Sequence, residues 1–448
     1  ASLFYLSVHS SFYNFDGVAC AIAVDLGDFK HLVHGNHLSY GLCGWLFHRL
    51  WQALGYAGPA MLPLQVLDSI LGGAGVGVFL CLLTKLKIPR RVALAASAGL
   101  TVSYAYWFWS LEAQVYMLGA LFILLAATEC FDENPRPWKA GALHGLAVLG
   151  HAGHAMFLPA ALYLFWRRKK EFPRYLAALA GTVLLAYGLV ALFIVRPQTY
   201  RQWRVWLLGS AALTLDKSFQ WHGGYSWASL REWLLMTFRI FADPAPLQGL
   251  ARTCGWLVAG LAVAAAAWGL KGRQRVERAA LLWLGGYSLL FISWEPQTMV
   301  YRITDLVPLW LLIALAAKSA PAGLGSGLLG GWALAAGIFN WTQSIEPRTD
   351  PLRNGAYQNA LWIGSETPQD SWIAARSADE VYIPYFAYRK TLNLRYFEAD
   401  PQLLLKRLEE IERLNEPVYI AANTLSAEPW ALFFKNYGPL GLLKKSEP

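Results

Sequence analysis

The sequence predicts an α-helical polytopic membrane protein of about eleven transmembrane helices with a small C-terminal α/β domain, and three observations support this. Of 448 residues, 56% are hydrophobic and only 15% charged, against roughly a quarter in soluble domains, so most of the surface is not built for water. The apolar residues form long runs punctuated by short charged loops. Finally, 21 Trp, 21 Tyr and 22 Phe supply the rings, apolar at one end and polar at the other, that collect where a bilayer meets water.

The chain opens on an apolar stub, ASLFYLSV, with neither a basic n-region nor a cleavage site, so a signal peptide is not expected in it. A spanning helix needs ~20 apolar residues, so further residues are expected before it. Spans are then predicted at 62–86, 91–110, 113–131, 140–150, 153–166, 174–195, 249–270, 277–293, 303–317 and 324–342. The runs 140–150 and 153–166 are short, either a tight pair or one bent helix. Basic loops punctuate the series at Lys85, Lys87, Arg90 and Arg91, at Arg167, Arg168, Lys169, Lys170 and Arg174, and at Lys271, Arg273, Arg275 and Arg278. If spans alternate, these fall on one side, which the positive-inside rule makes cytoplasmic. The outer side, periplasmic if the membrane is a bacterial inner membrane, receives the loops 9–60 and 196–248, the turns near Glu112 and His151, the turn WEPQTMVYR and the C-terminal tail. The net charge of +9 therefore reads as topology and attraction to membrane lipids, and no nucleic-acid partner is expected.

From about residue 346 the composition changes, dividing the chain into a transmembrane domain, 1–345, and an extracytoplasmic domain, 346–448, joined through EPRTDPLRNG. Strand-like pieces (SWIAAR, TLNLRYF, PVYIAAN) alternate with helix-like ones, as in a short, mostly parallel sheet. In PQLLLKRLEEIERLN, Leu403, Leu404, Leu408 and Ile411 recur at helical spacing and predict an amphipathic helix lying on that sheet. A protein partner could dock on this domain.

The candidate chemistry lies at the outer face. Asp16, in FYNFDGVACA, is a carboxylate at the opening of the first outer loop, a candidate base for an incoming hydroxyl and also, without excluding that role, a candidate N-cap of the helix that follows. Asp25 and Asp28 compete with it. In HLVHGNHLSYGL, His34 and His37 can hydrogen-bond sugar hydroxyls or phosphate oxygens. Gly35 and Asn36 interrupt a helical metal-ligand spacing, and the five Cys offer no CxxC. No metal site or cofactor is therefore expected, with divalent-metal dependence left open. Asp68 lies ~9 Å into its span, near enough to the outer end to reach water. Glu112 and Tyr116 flank a turn, and His151 and His154 sit three apart at the end of a short span. Arg201 and Arg204, beside Trp203, and Arg302, seven residues after Glu295 and next to Tyr301, are outer-side cations. A guanidinium pairs naturally with phosphate through two parallel donors.

Taken in order, FDGVACA, HGNHLSYGLCGWLFHRL, SLEAQVYMLGALFILLA, GLAVLGHAGHAMFLPAALY and WEPQTMVYRITDLVPLWLL resemble the GT-C class of multi-spanning glycosyltransferases, nearest the protein O-mannosyltransferase-like branch. The resemblance covers about residues 12–318. It implies a polyprenyl-phosphate-linked monosaccharide donor, inverting transfer to a protein or lipid/glycan acceptor, and Asp16 as general base. It differs from the family in having HGNHLSYG for HPPGYP, Ala19 and Cys20 where a second acidic residue is expected, and Gln114 in place of a glutamate. The alternatives are a non-catalytic assembly subunit of a membrane complex, or a lipid or solute transporter, for which paired broken helices in two related halves would be the mark.

Overall fold

The computed structural model describes residues 1–166, 168, 170–208, 224–269, 275–321, 323–375, 379–398, 400–421, 430, 433 and 441–443. Arg167, Lys169, Lys271 and Arg273 of the basic loops, the middle of the loop 196–248 and the ends of SWIAAR and PVYIAAN lie outside them. The chain divides into two compact units, one of residues 1–10 and 23–349, the other of 11–22 and 350–448.

The first unit is helical. Among the described residues, four helices are long and apolar enough to cross a membrane: Met61–Lys85, Phe172–Val195, Gly249–Trp268 and Met299–Lys318. Tyr116–Cys130 and Ala152–Phe165 are shorter apolar helices. Leu184, Leu185 and Leu189 on the second of the long helices and Leu250, Leu257 and Leu261 on the third stay exposed, as on a surface whose solvent is lipid.

The expected single span 91–110 is instead two helices, Arg90–Val102 and Tyr104–Ser110. Ser103 between them is extended, and the amide N–H groups of Tyr104 and Ala105 donate to the carbonyls of Phe241 and Ile240 at 3.1 and 3.0 Å. Partners from a distant segment replace the helical ones, so these two backbone donors stay paired at the break. Trp310 Nε1 donates to Ser103 Oγ at 2.9 Å, and its ring lies so close to Gly99 that a Cβ there would sit 2.1 Å from it.

Three of the described basic-loop residues, Lys85, Lys87 and Arg168, have acidic partners. Lys85 pairs with Asp132 at 2.5 Å and Lys87 with Glu133 at 2.6 Å, while an Arg168 guanidinium nitrogen donates to the Glu133 carbonyl. Glu129, nearly buried, accepts from Arg136 at 2.8 Å and Lys139 at 2.7 Å.

The second unit carries four parallel strands, β1 (Trp372–Ala375), β2 (Lys390–Asn393), β3 (Val418–Ala421) and β4 (Gly441–Leu443), in the order β2-β1-β3-β4. Alternation along β1 separates two cores: Ala374 joins Leu392, Ile420 and the helix Pro401–Arg413, whereas Ile373 and Ala375 join Ile363, Ile383 and Ala387. On that helix Leu404, Leu408 and Ile411 are buried, but Leu403 is half exposed. One residue is ~100° of helical turn, enough to carry Leu403 off the buried face.

Residues 11–22 pack with this unit rather than with the helices that follow them in sequence. Asn354 Nδ2 donates to the carbonyls of Ser11 and Phe12 at 2.8 and 2.7 Å, and the Tyr13 ring lies 5.3 Å from Tyr357 and 5.1 Å from Phe386.

Candidate functional site

Asp16 belongs to the second unit, in the first turn of the helix Phe15–Leu26. It is not the N-cap. Asn14 takes that role, its Oδ1 accepting the Gly17 N–H at 2.9 Å and its carbonyl the Val18 N–H at 3.0 Å. Asp16 is left as an exposed carboxylate near the positive end of the helix. Its two competitors have structural tasks. Asp28 caps the short helix Phe29–Leu32 and pairs with His31 at 2.6 Å, and Asp25 accepts the Ala60 N–H at 3.0 Å.

Most of the other candidate residues come together in the first unit. The His34 and His37 rings stack at 4.3 Å, and their loop is pinned to the turn that carries His151. Ala152 N–H donates to Asn36 O at 2.7 Å, and Ser39 N–H to Leu149 O at 3.0 Å. His151 lies 4.8 Å from the Tyr116 ring and 6.0 Å from Tyr301, which itself stacks on Phe291 and Trp294 at 5.3 and 5.1 Å. His154 is buried behind His151, with Nδ1 hydrogen-bonded to Tyr287 Oη at 2.6 Å. Behind it His144 Nε2 donates to the His154 carbonyl at 2.8 Å, so in the neutral ring Nδ1 accepts from Tyr175. Imidazoles and aromatic rings thus form one wall. Among the described residues, no group of three or more His, Cys, Asp or Glu is arranged to hold a metal ion.

Two glycines allow this wall to close. A Cβ on Gly119 would sit 2.5 Å from His154 Nε2, and one on Gly150 would sit 2.6 Å from the Gly119 Cα. Gly119→Ala and Gly150→Ala are each expected to cost about 1–3 kcal/mol. Gly150→Ala should cost more, because backbone cannot swing aside as an imidazole can; thermal unfolding in detergent measures both.

Burial lowers the pKa of His34 and, more strongly, of His37, and pushes His151, in its turn between helices, down to about 4. Neighbouring imidazoles add to the effect at His37 and His151. A histidine with a depressed folded pKa binds fewer protons folded than unfolded. Its stabilising contribution is therefore whole above the unfolded value of about 6.5 and drains away as pH falls toward the folded one. The unfolding temperature is expected to drop between about pH 6.5 and 4, less steeply in His37→Gln. An unchanged slope in that variant would remove His37 from the account.

Next to this wall is a buried polar node. Asp68, on the helix Met61–Lys85, does not reach water: it is fully buried. Its Oδ2 accepts from Tyr40 Oη at 2.5 Å and from the Gln114 N–H at 2.8 Å. Glu112, also fully buried, accepts from the Ser10 hydroxyl, and Gln65 Nε2 donates to the Ser10 carbonyl at 2.9 Å.

The cations differ in their availability. Arg201 and Arg204 are exposed on the helix Tyr200–Leu208, which lies on the His34 loop: Trp206 Nε1 donates to Val33 O at 2.8 Å. Arg302 is fully buried. Its Nε is paired with Asp305, Nη1 donates to Trp233 O at 3.0 Å, Nη2 to Thr237 Oγ1 at 2.9 Å, and the guanidinium stands 4.6 Å over the Trp233 ring. Glu295 adopts a left-handed backbone (φ 49°) and takes the Thr298 hydroxyl at 3.1 Å within its own turn.

Sequence reasoning overlooked Tyr40, Gln65, Trp233 and Thr237, and it took Gln114 only as a departure from the family. Their partners lie tens of residues away, and no spacing rule joins them.

No family model and no curated protein matches the sequence. Solved structures do match in fold. ArnT from Cupriavidus metallidurans bound to undecaprenyl phosphate aligns with a TM-score of 0.62 at 10% identity, over 88% of this chain and 85% of that one. The apo form of the same protein gives 0.62 and 10%, over 88% and 84%. The chain therefore shares the fold of ArnT.

Proposed function

We propose that this protein is an integral membrane glycosyltransferase that takes a monosaccharide from a polyprenyl-phosphate carrier and passes it, with inversion, to a protein or lipid/glycan acceptor. The observation that carries the reading is the shared fold: it extends over most of both chains, and its counterpart was crystallised with a polyprenyl phosphate. A second observation agrees with it. The basic loops gather at the Lys85 end of the helix Met61–Lys85, and the His–Tyr wall and the Asp68 node lie toward its other end. With the basic end cytoplasmic, the wall, the first loop and the C-terminal unit would work on the periplasmic side of a bacterial inner membrane.

In this reading Asp16 removes the proton from the acceptor hydroxyl, whose oxygen attacks the anomeric carbon as the bond to the phosphate oxygen breaks. The bonding pair leaves with the lipid phosphate. Arg201 and Arg204, the exposed cations, meet that anion, while the sugar lies against His34, His37, Tyr116, His151 and Tyr301, with Glu112 behind. Arg302 and Glu295 shape the wall from within, and His154 orients its neighbours. The O-mannosyltransferase-like branch is the finer assignment, and the C-terminal unit would meet the acceptor or a protein partner.

The test is transfer of radiolabelled sugar from a synthetic polyprenyl-phosphate donor by the purified protein in lipid nanodiscs. Label appearing on an acceptor or in released sugar supports the proposal. A protein that neither binds the carrier nor turns it over would overturn the proposal and leave the assembly-subunit and transporter readings.

A further inference from the structure

We infer that Asp68 is the positioning residue that holds the two sides of the candidate site in register. It draws on a single carboxylate oxygen. Oδ2 receives the hydroxyl of Tyr40, the first residue of the helix Tyr40–Ala53 and three residues past His37. The same oxygen receives the N–H of Gln114, two residues past Glu112 and two before Tyr116. The histidine loop and the Glu112–Tyr116 turn come from distant parts of the chain, and both are bonded to this atom. The tie is reinforced beside it, where Ser69 Oγ donates to Ser110 O at 2.9 Å, and one turn on, where Tyr106 Oη donates to Gly72 O at 3.0 Å.

The carboxylate is otherwise hard to explain. Asp68 is fully buried, and its Oδ1 has no hydrogen-bond partner among the described residues. Leaving such an acceptor unsatisfied costs stability, and an apolar residue of the same shape would avoid the cost. Mid-helix packing alone would favour leucine. What leucine cannot do is accept two hydrogen bonds at one point. Among the described residues its hydrogen-bond partners, Tyr40 and Gln114, are neutral donors, and the nearby ionisable group is another acid, Glu112. Coulomb attraction to a basic partner is therefore not what keeps it there.

This role rests on the glycosyltransferase reading only for its kinetic consequence; the geometry is testable without it. The experiment uses the full-length protein in nanodiscs with Asp68→Asn, Asp68→Leu and Tyr40→Phe. The Asn carbonyl oxygen can still accept both bonds, whereas Leu accepts neither and Tyr40→Phe removes one. Carbethoxylation of His34, His37 and His151 by diethyl pyrocarbonate, read by mass spectrometry, reports how firmly the site is closed. The modification rate is expected to rise at least fivefold in Asp68→Leu, by less in Tyr40→Phe, and to stay near wild type in Asp68→Asn. In the transfer assay kcat should follow the same order, with KM for the carrier lipid changing by less than kcat.

Equal labelling in all four proteins, each verified as folded, would overturn the positioning role whatever the assay shows. Labelling in the expected order with no transfer by the wild type would leave the role standing and remove the glycosyltransferase reading. Should Asp68→Leu fail to fold, Asp68→Asn and Tyr40→Phe still decide the matter: rapid labelling in Asp68→Asn would show that charge, not the shared acceptor, is required.

Discussion

Replacing Asp16 with Asn is expected to lower kcat for sugar transfer by about 10²–10⁴, the usual contribution of a general base, while the protein stays folded. The two effects separate because they differ in scale. In the fold Asp16 is an exposed carboxylate in the first turn of Phe15–Leu26, where the helix dipole gives it at most about 1 kcal/mol. The cap itself is Asn14, which the substitution leaves alone. Asn keeps the shape but cannot take up a proton at neutral pH. Asn14→Ala is the converse control: it should cost about 1 kcal/mol of helix stability and leave the proton acceptor chemically intact. The comparison needs only kcat and an unfolding temperature for each variant. Asp16→Asn turning over within threefold of wild type would shift the base to another group, and Glu112, buried and bonded to Ser10, would be the next carboxylate to test.

What was legible in the sequence was what composition and periodicity encode. Apolar runs become helices because a chain in lipid must satisfy its backbone internally, and the parallel strands of the C-terminal unit follow from short β-branched and aromatic pieces between polar turns. The points that escaped depend on contacts between distant residues. Nothing local announces that Ser103 breaks a helix, since its neighbours' N–H groups are claimed by carbonyls at 240 and 241. Asp68 looks water-accessible by its depth in the helix until Tyr40 and Gln114 are seen to close over it. The segment 11–22 follows an apolar stub, yet Asn354 and Tyr357, far along the chain, claim its start. Arg302 is the instructive case in between. Asp305 stood three residues away and was readable as a partner, but the cation was read against an external phosphate instead.

That choice leads to the second large effect. Arg302→Ala is expected to destabilise the protein by about 3–5 kcal/mol, because it strands the Asp305 carboxylate in a site where both side chains are fully buried. The two residues lie on the 3₁₀ turn Met299–Asp305, where side chains three apart eclipse, so the pair forms within one turn. The guanidinium also satisfies Trp233 O and Thr237 Oγ1, whose helix Trp227–Arg239 it braces. Arg302→Lys should lose less than Ala but more than a conservative exchange usually would, since one ammonium on a flexible stem cannot reproduce a planar fork directed at three acceptors. The double variant Arg302→Met, Asp305→Leu removes both charges together and should recover most of the loss, as paired removal of buried ions commonly does. Stability by thermal unfolding orders the four proteins, and the double variant then decides a functional point that single substitutions cannot. It is folded and has no cation at 302. Carrier-lipid affinity close to wild type in that protein would make Arg302 a brace and leave phosphate binding to exposed cations such as Arg201 and Arg204. A tenfold or greater loss would mean that the guanidinium exchanges Asp305 for the lipid phosphate during turnover. A single Arg302→Ala variant tolerated within about 1 kcal/mol would contradict the buried pair itself, because an uncompensated carboxylate in that setting cannot be so cheap.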